Sequence, residues 1–140
     1  MTPDERNKAG IFLTFQNIPE IPGVKLFEFL KTIYDARAEK PSTFLEFKKI
    51  IEPLMAELEI EKAFLWRDLN VGFSGGEKRK IEVLQIKLLK PKYIILDEID
   101  SGLDVNSVRQ VAELLKAVNT EENSFIVITH LFEMLQELPL

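Results

Sequence analysis

The stretch Tyr93-Ile94-Ile95-Leu96-Asp97-Glu98-Ile99-Asp100-Ser101-Gly102-Leu103-Asp104 decides the fold. Tyr93 to Leu96 is a continuous apolar run, the pattern of a fully buried strand in a parallel sheet. Two carboxylates follow at its carboxyl end. Ser101 to Asp104 then makes a tight connection, with Asp104 at the N-cap of a helix. That helix is read from Val105 to Val118, where Val108, Val111, Ala112, Leu115 and Val118 recur at helical spacing. Phe125 to Ile128 is a second buried strand. Strand, helix and strand in this order predict a right-handed crossover, and open α/β sheets bind ligands beyond the carboxyl ends of their strands.

Upstream, a helix is predicted from Gly75 to Leu89, stopped by Pro91. Residues 24–66 read as helical: Leu26, Phe27, Leu30, Ile33 and Tyr34 recur at helical spacing, as do Phe44, Phe47, Ile50 and Ile51. Pro41-Ser42-Thr43 separates the two segments, and Pro53 is expected to kink or interrupt the second. At the N-terminus, Thr2-Pro3-Asp4-Glu5 has the order of a capped helix start, and the short helix should stop near Gly10. Ile11 to Phe15 is a β-prone run. Gln16 to Gly23, with two prolines and a glycine, reads as a loop. Leu131 to Leu138 begins another helix.

Composition narrows the function. The 140 residues carry 18 Lys and Arg against 23 Asp and Glu, a net charge of −5. This disfavours nucleic acid as a partner, because phosphate backbones select clustered positive charge. With no Cys and one His, the chain has no disulfide framework, thiolate zinc site or histidine metal cluster. No apolar run reaches the ~18 residues of a membrane helix, so direct membrane insertion is not expected. The N-terminus lacks a signal-peptide pattern, and a cytoplasmic location is the expectation.

Four features carry chemistry. Ser74-Gly75-Gly76-Glu77 is a capping box, in which Ser74 accepts from a first-turn N–H and Glu77 reaches back. A cap alone gives no reason for two glycines, each costing a helix about 0.5–1 kcal/mol. They make sense where an anion must approach the backbone of a helix N-terminus. Asp97 can hold Mg²⁺ through oxygen or water, and the adjacent Glu98 can orient or deprotonate an attacking water; taken alone, they are an ordinary solvated strand end. Ser101 to Asp104 is, by itself, a turn and cap. His130, the single histidine, follows the strand Phe125–Ile128 and should lie near Asp97 and Glu98. Lys78-Arg79-Lys80 reads as a solvated helix face. Phe27, Phe29, Phe44, Phe47, Phe64 and Trp66 read mostly as core.

In this order the features resemble the ATP-binding-cassette (ABC) ATPases. Ser74-Gly75-Gly76-Glu77 is similar to the signature motif, Tyr93–Glu98 to the Walker B strand and its glutamate, Ser101–Asp104 to the D-loop, Thr129-His130 to the switch histidine, and Gln16 to the Q-loop. Ala9 to Gln16, Pro19 to Val24, Asn70 to Lys78, Leu96 to Asp104 and Ser124 to His130 resemble more narrowly the SufC family, the ATPase subunits of the Suf iron–sulfur cluster assembly system. Transporter ATPases usually have Pro-Thr-Ser-Ala where this chain has Ile99-Asp100-Ser101-Gly102. Asn17-Ile18, Ile99 and Leu131 depart from the family pattern.

The resemblance implies an α/β fold: a partial P-loop NTPase core with a parallel sheet and an inserted α-helical subdomain. Residues 1–23 would form a core strand and the Q-loop, 24–72 the helical subdomain, and 73–140 the signature, Walker B, D-loop and switch-histidine part. It implies ATP and Mg²⁺ as cofactors, with Asp97 and Gln16 at the metal, Glu98 polarising the attacking water, and His130 and Gln16 sensing the γ-phosphate. Ser74, Gly75, Gly76 and Glu77 would bind the nucleotide of a second subunit in an ATP-dependent homodimer, with Asp104 at the interface. The helical subdomain would dock SufB- and SufD-like partners. The six glycines, at 10, 23, 72, 75, 76 and 102, begin no Gly-x-x-x-x-Gly-Lys-Ser/Thr loop. The expectation is a partial chain, inactive alone, whose strand Phe125–Ile128 has an open edge. Two other readings are a binding module supplying the Ser-Gly-Gly face to an intact subunit, and a piece of a transporter ATPase.

Overall fold

A computed structural model describes residues 1–14, 18–97, 104–129 and 136. Helix α1 (Pro3–Lys8) starts as its sequence dictates. The Thr2 hydroxyl accepts from the Glu5 N–H at 3.2 Å, and the Glu5 carboxylate accepts from the Thr2 N–H at 2.7 Å. Gly10 then turns the chain with φ +94°, and a Cβ there would lie 3.2 Å from the Lys92 backbone nitrogen. Its carbonyl accepts from the N–H groups of both Lys92 and Tyr93, at 2.8 and 2.9 Å.

Strands β1 (Ile11–Leu13), β4 (Tyr93–Asp97) and β5 (Ser124–Ile128) form a sheet in the order β1-β4-β5. Both ladders are parallel, pairing Phe12 with Ile94 and Leu96 with Val127. Helix α5 (Val105–Val118) supplies the crossover from β4 to β5 and packs on α4 (Gly75–Leu89). These strand and helix bounds follow the apolar pattern closely. The helix read from Leu131 lies, apart from Gln136, outside the described residues, as does Phe15.

The expectation that the strands are fully buried is corrected. Ile94 and Leu96 are buried, and Phe12, Phe125 and Val127 pack with them on the core that holds Leu84 of α4 and Val111 and Leu115 of α5. Alternation sends Leu13, Tyr93, Ile126 and Ile128 to the opposite face, where all four are exposed. An apolar run permits cover on both faces but does not supply it.

The predicted loop 16–23 also needs correction. Ile21–Lys25 forms β2, antiparallel to the two-residue β3 (Asp68–Leu69). Asp68 organises the pair. Its carboxylate accepts from the Gly23 N–H at 3.1 Å and meets the Lys25 ammonium at 2.9 Å. Gly23 sits at φ +87°, where the pairing register shifts, and Pro22 is tolerated because both strands are edges.

Between these strands lie α2 (Leu26–Asp35), α3 (Phe44–Glu57) and a 3₁₀ turn (Lys62–Trp66). Helix α3 is not interrupted at Pro53. That residue is exposed, so water can take up the carbonyl left without an N–H partner. Phe27 and Phe47 are core residues as expected, with ring centroids 5.3 Å apart. Phe44 and Trp66 are not. They lie on one exposed shelf, each packed against Phe27, at 4.9 and 5.1 Å.

Arg37 ties α2 to the rest of the chain. Its guanidinium donates to the carbonyls of Asn7 and Leu89, each at 2.6 Å, at the ends of α1 and α4. Arg37→Ala should lower stability by about 2 kcal/mol, the usual size for hydrogen bonds from a charged donor, read as a smaller urea midpoint. Asp35 anchors the other side of the same turn. Burial would raise its carboxyl, but hydrogen bonds from Lys31 and from the N–H and hydroxyl of Ser42 outweigh that and hold it below the ordinary value. An acid depressed in the folded state stabilises above its unfolded value and loses that contribution as pH falls through the folded one. Stability should therefore fall below about pH 4, and Asp35→Asn should flatten that part of the acid-unfolding curve.

Candidate functional site

The parallel sheet brings three strand ends to one rim. β1 ends at Leu13-Thr14, β4 at Asp97, and β5 at Ile128-Thr129, with Asp97 in register with Ile128. Thr14 joins two of them. Its N–H donates to the Ile95 carbonyl at 3.0 Å, and its hydroxyl accepts from the Asp97 N–H at 3.2 Å. The Asp97 side chain, four residues beyond Tyr93, takes the open face of the sheet. Gln16, Glu98 and His130, each expected at this rim, lie outside the described residues, as does Ser101-Gly102-Leu103. Asp104 immediately precedes α5, where its carbonyl accepts from the Val108 N–H at 2.9 Å.

The second constellation is the N-terminus of α4. Ser74 is its N-cap, with the predicted capping box complete: the hydroxyl accepts from the Glu77 N–H at 3.1 Å and Glu77 accepts from the Ser74 N–H at 2.8 Å. This reciprocal pair leaves the N–H groups of Gly75 and Gly76 without a partner among the described residues. Ser74 and Gly75 are exposed. Free amides and the helix dipole together favour an anion there. No hydrogen bond or ion pair joins this turn to Asp97 among the described residues, so the structure does not bring the two constellations into contact.

The approach to the cap is fixed by Arg67, which the sequence did not single out, acting on Phe64 and Phe73. The Arg67 guanidinium lies 4.8 Å from the ring centre of Phe64 and 4.7 Å from that of Phe73, and the two rings meet edge to face at 4.9 Å. Asn70, at φ +60°, and Gly72, at φ +72°, bend the chain between them. The Asn70 amide donates to the Pro19 carbonyl at 3.0 Å, while its Oδ1 is buried without a partner among the described residues. Lys78 on α4 reaches Glu20 at 3.2 Å. Pro19 and Glu20 are thus bound to the turn entering Ser74 and to the first turns of α4, respectively. The Lys78-Arg79-Lys80 cluster is not uniformly solvated, because Arg79 is buried and paired with Glu82 at 2.5 Å. The signal for that pairing was present in the i,i+3 spacing.

This arrangement is the fold of an ATP-binding cassette. The chain superposes on the dimeric MJ0796 ABC transporter cassette with a TM-score of 0.78 at 22% identity, covering 98% of this chain and 60% of that one. A post-hydrolysis state of MJ0796 bound to ADP and phosphate gives a TM-score of 0.79 at 21% identity, again over 98% and 60%.

In sequence the chain is similar to several proteins named as probable ATP-dependent transporters. It is 39% identical to "Probable ATP-dependent transporter SufC" of Escherichia coli over 93% of this chain and 54% of that protein. It is 44% identical to "Probable ATP-dependent transporter slr0075" of Synechocystis over 93% and 52%, and 41% identical to "Probable ATP-dependent transporter ycf16" of Cyanidium caldarium over 92% and 52%. The chain spans about half the length of the curated relatives it matches. No protein-family model matches it.

Removing the cap should be felt locally. Ser74→Ala should cost about 1 kcal/mol of stability, with Ser74→Asp, which can still cap, close to wild type in the same denaturation experiment.

Proposed function

We propose that this chain is the part of a SufC-type ATPase that carries the signature turn, the Walker B strand, the D-loop and the switch histidine. It would work in the cytoplasm with SufB- and SufD-like proteins, driving iron–sulfur cluster assembly. The supporting observation is the pairing of that sequence similarity with Ser74-Gly75-Gly76-Glu77 at the open N-terminus of a fifteen-residue helix.

The residues present fit a magnesium nucleotide in part. The two uncapped amides at Gly75 and Gly76 suit a phosphate oxygen, and Asp97 offers one hard oxygen at the strand end. One carboxylate is enough for Mg²⁺, which keeps several waters and takes its other ligands from phosphates. Among the described residues no group of three His, Cys, Asp or Glu gathers to hold a metal by itself. When bound, Mg²⁺ would neutralise charge that develops on the transferring phosphoryl group. Asp97 and Gln16 would hold it, Glu98 would orient the attacking water, and His130 and Gln16 would contact the γ-phosphate. Ser74, Gly75, Gly76 and Glu77 would act across an ATP-dependent dimer on the nucleotide of the other subunit, and Asp104 would line that interface. Residues 24–72 would be the helical subdomain, whose exposed Phe44 and Trp66 offer the docking surface.

With no Gly-x-x-x-x-Gly-Lys-Ser/Thr among these residues, the proposal is that they hold ATP only weakly by themselves. Calorimetric titration of the chain with MgATP should give no saturable binding in the micromolar range, and a micromolar isotherm would refute that clause. Affinity purification of the tagged chain should recover SufB- and SufD-like proteins, with recovery at least tenfold lower for Trp66→Asp. Recovery of a membrane transporter subunit instead would overturn the Suf assignment.

A further inference from the structure

The end of β1 departs from a regular ladder at one residue. In parallel pairing a strand residue bonds to the two neighbours of its partner, through its N–H to one and its carbonyl to the other. Thr14 lies opposite Leu96, one position past the pairing of Leu13 with Ile95. Its N–H follows the rule and donates to the Ile95 carbonyl at 3.0 Å. Its carbonyl does not, because the Asp97 N–H goes to the Thr14 hydroxyl instead, at 3.2 Å. The same hydroxyl donates to the Ile95 carbonyl at 3.4 Å. A hydroxyl is donor and acceptor at once, and β-branching restricts its direction. Thr14 is 3% exposed, so these contacts are shielded from water.

We infer that Thr14 is a positioning residue for the Asp97 carboxylate, its hydroxyl standing in for the carbonyl that the ladder would otherwise use. This rests on the reading of Asp97 as a magnesium residue and names what holds it in place. The exchange of acceptors has two consequences. First, β4 reaches Asp97 with its last amide satisfied on the β1 side, although β1 itself ends at Leu13. An amide without that partner would leave the strand end to fray. The bonded amide instead keeps Asp97 in the pleat, with its side chain on the face opposite Leu96. Second, the hold of the ladder on the β1 backbone stops at the Thr14 N–H, two positions before Gln16 in the sequence. Thr14 is therefore a common reference for both residues assigned to the metal, bonded to one and close in the chain to the other. The contact uses only the Asp97 amide and leaves both carboxylate oxygens for a cation.

Two readings of the full chain by NMR test this. Amide hydrogen exchange reports the hydrogen bond, and paramagnetic broadening by Mn²⁺, which takes oxygen ligands as Mg²⁺ does, reports the carboxylate. In the unaltered chain, Mn²⁺ in the millimolar range should broaden Asp97 and its neighbours, and Asp97→Asn should abolish this. Thr14→Val should speed exchange at the Asp97 amide by at least about tenfold, leaving the Ile94 and Leu96 amides, which point to β5, unchanged. It should also raise the Mn²⁺ concentration for half-broadening by about threefold or more. Thr14→Ser should bring both readings back to within about twofold of the unaltered chain, a rescue that packing alone does not supply. If circular dichroism shows Thr14→Val unfolded, Thr14→Ala carries the same expectations. Unchanged exchange in the valine variant means that the main-chain carbonyl serves as well, and overturns the inference. Faster exchange with unchanged broadening makes the hydroxyl merely structural and overturns it too, as does a serine variant that restores neither reading. Broadening near Asp97 that is absent, or that survives Asp97→Asn, refutes instead the assignment of Asp97 to the metal, and this inference with it.

Discussion

Strand β4 is hydrogen-bonded on both sides, and β1 fixes it at both ends. Where β4 begins, the Gly10 carbonyl receives two consecutive N–H groups. Where it finishes, Thr14 gives its N–H to Ile95 and its hydroxyl to the Asp97 N–H. Neither end of the strand can slide by one residue without breaking contacts at the other. A one-residue slip would also turn every side chain to the opposite face. The position of Asp97 is therefore over-determined, and β5, hung on the far edge of β4, inherits its register from the same frame.

The α4 N-terminus is held by a different kind of contact. Phe73 enters the core against Phe64, and Arg67 covers both rings. The ion pair between Lys78 and Glu20 is solvated and worth little on its own. The aromatic sandwich and the Asn70–Pro19 hydrogen bond are better placed to hold the turn. The buried Arg79–Glu82 pair then braces the first turns of the helix from within, since either charge left alone in that environment would be costly.

Local signals made much of this legible. The bounds of α4 and α5 could be read because caps and Pro91 punctuate the chain, and Ser74-Gly75-Gly76-Glu77 because a capping box is a four-residue pattern. Strand β2 was not legible: its stability comes from Asp68, more than forty positions away, while Pro22 and Gly23 locally mimic a loop. The contact between Thr14 and Asp97 spans 83 residues and has no sequence signature. The exposed face of the sheet escaped notice for a third reason. Tyr93–Leu96 and Phe125–Ile128 are apolar throughout, so their composition cannot say which face has a neighbour.

Arg37 and Asp35 sit two residues apart at the end of α2 and grip different kinds of partner. Asp35 holds Ser42 and Lys31 through its own charge. Arg37 holds carbonyls at the ends of α1 and α4, which carry no proton to gain. Acid therefore releases one grip and leaves the other intact. The segment between α2 and α3 loses a tie in acid, while Arg37 still joins the ends of α1 and α4. Of these two neighbours, only the Asp35 carboxylate loses its hold when protonated.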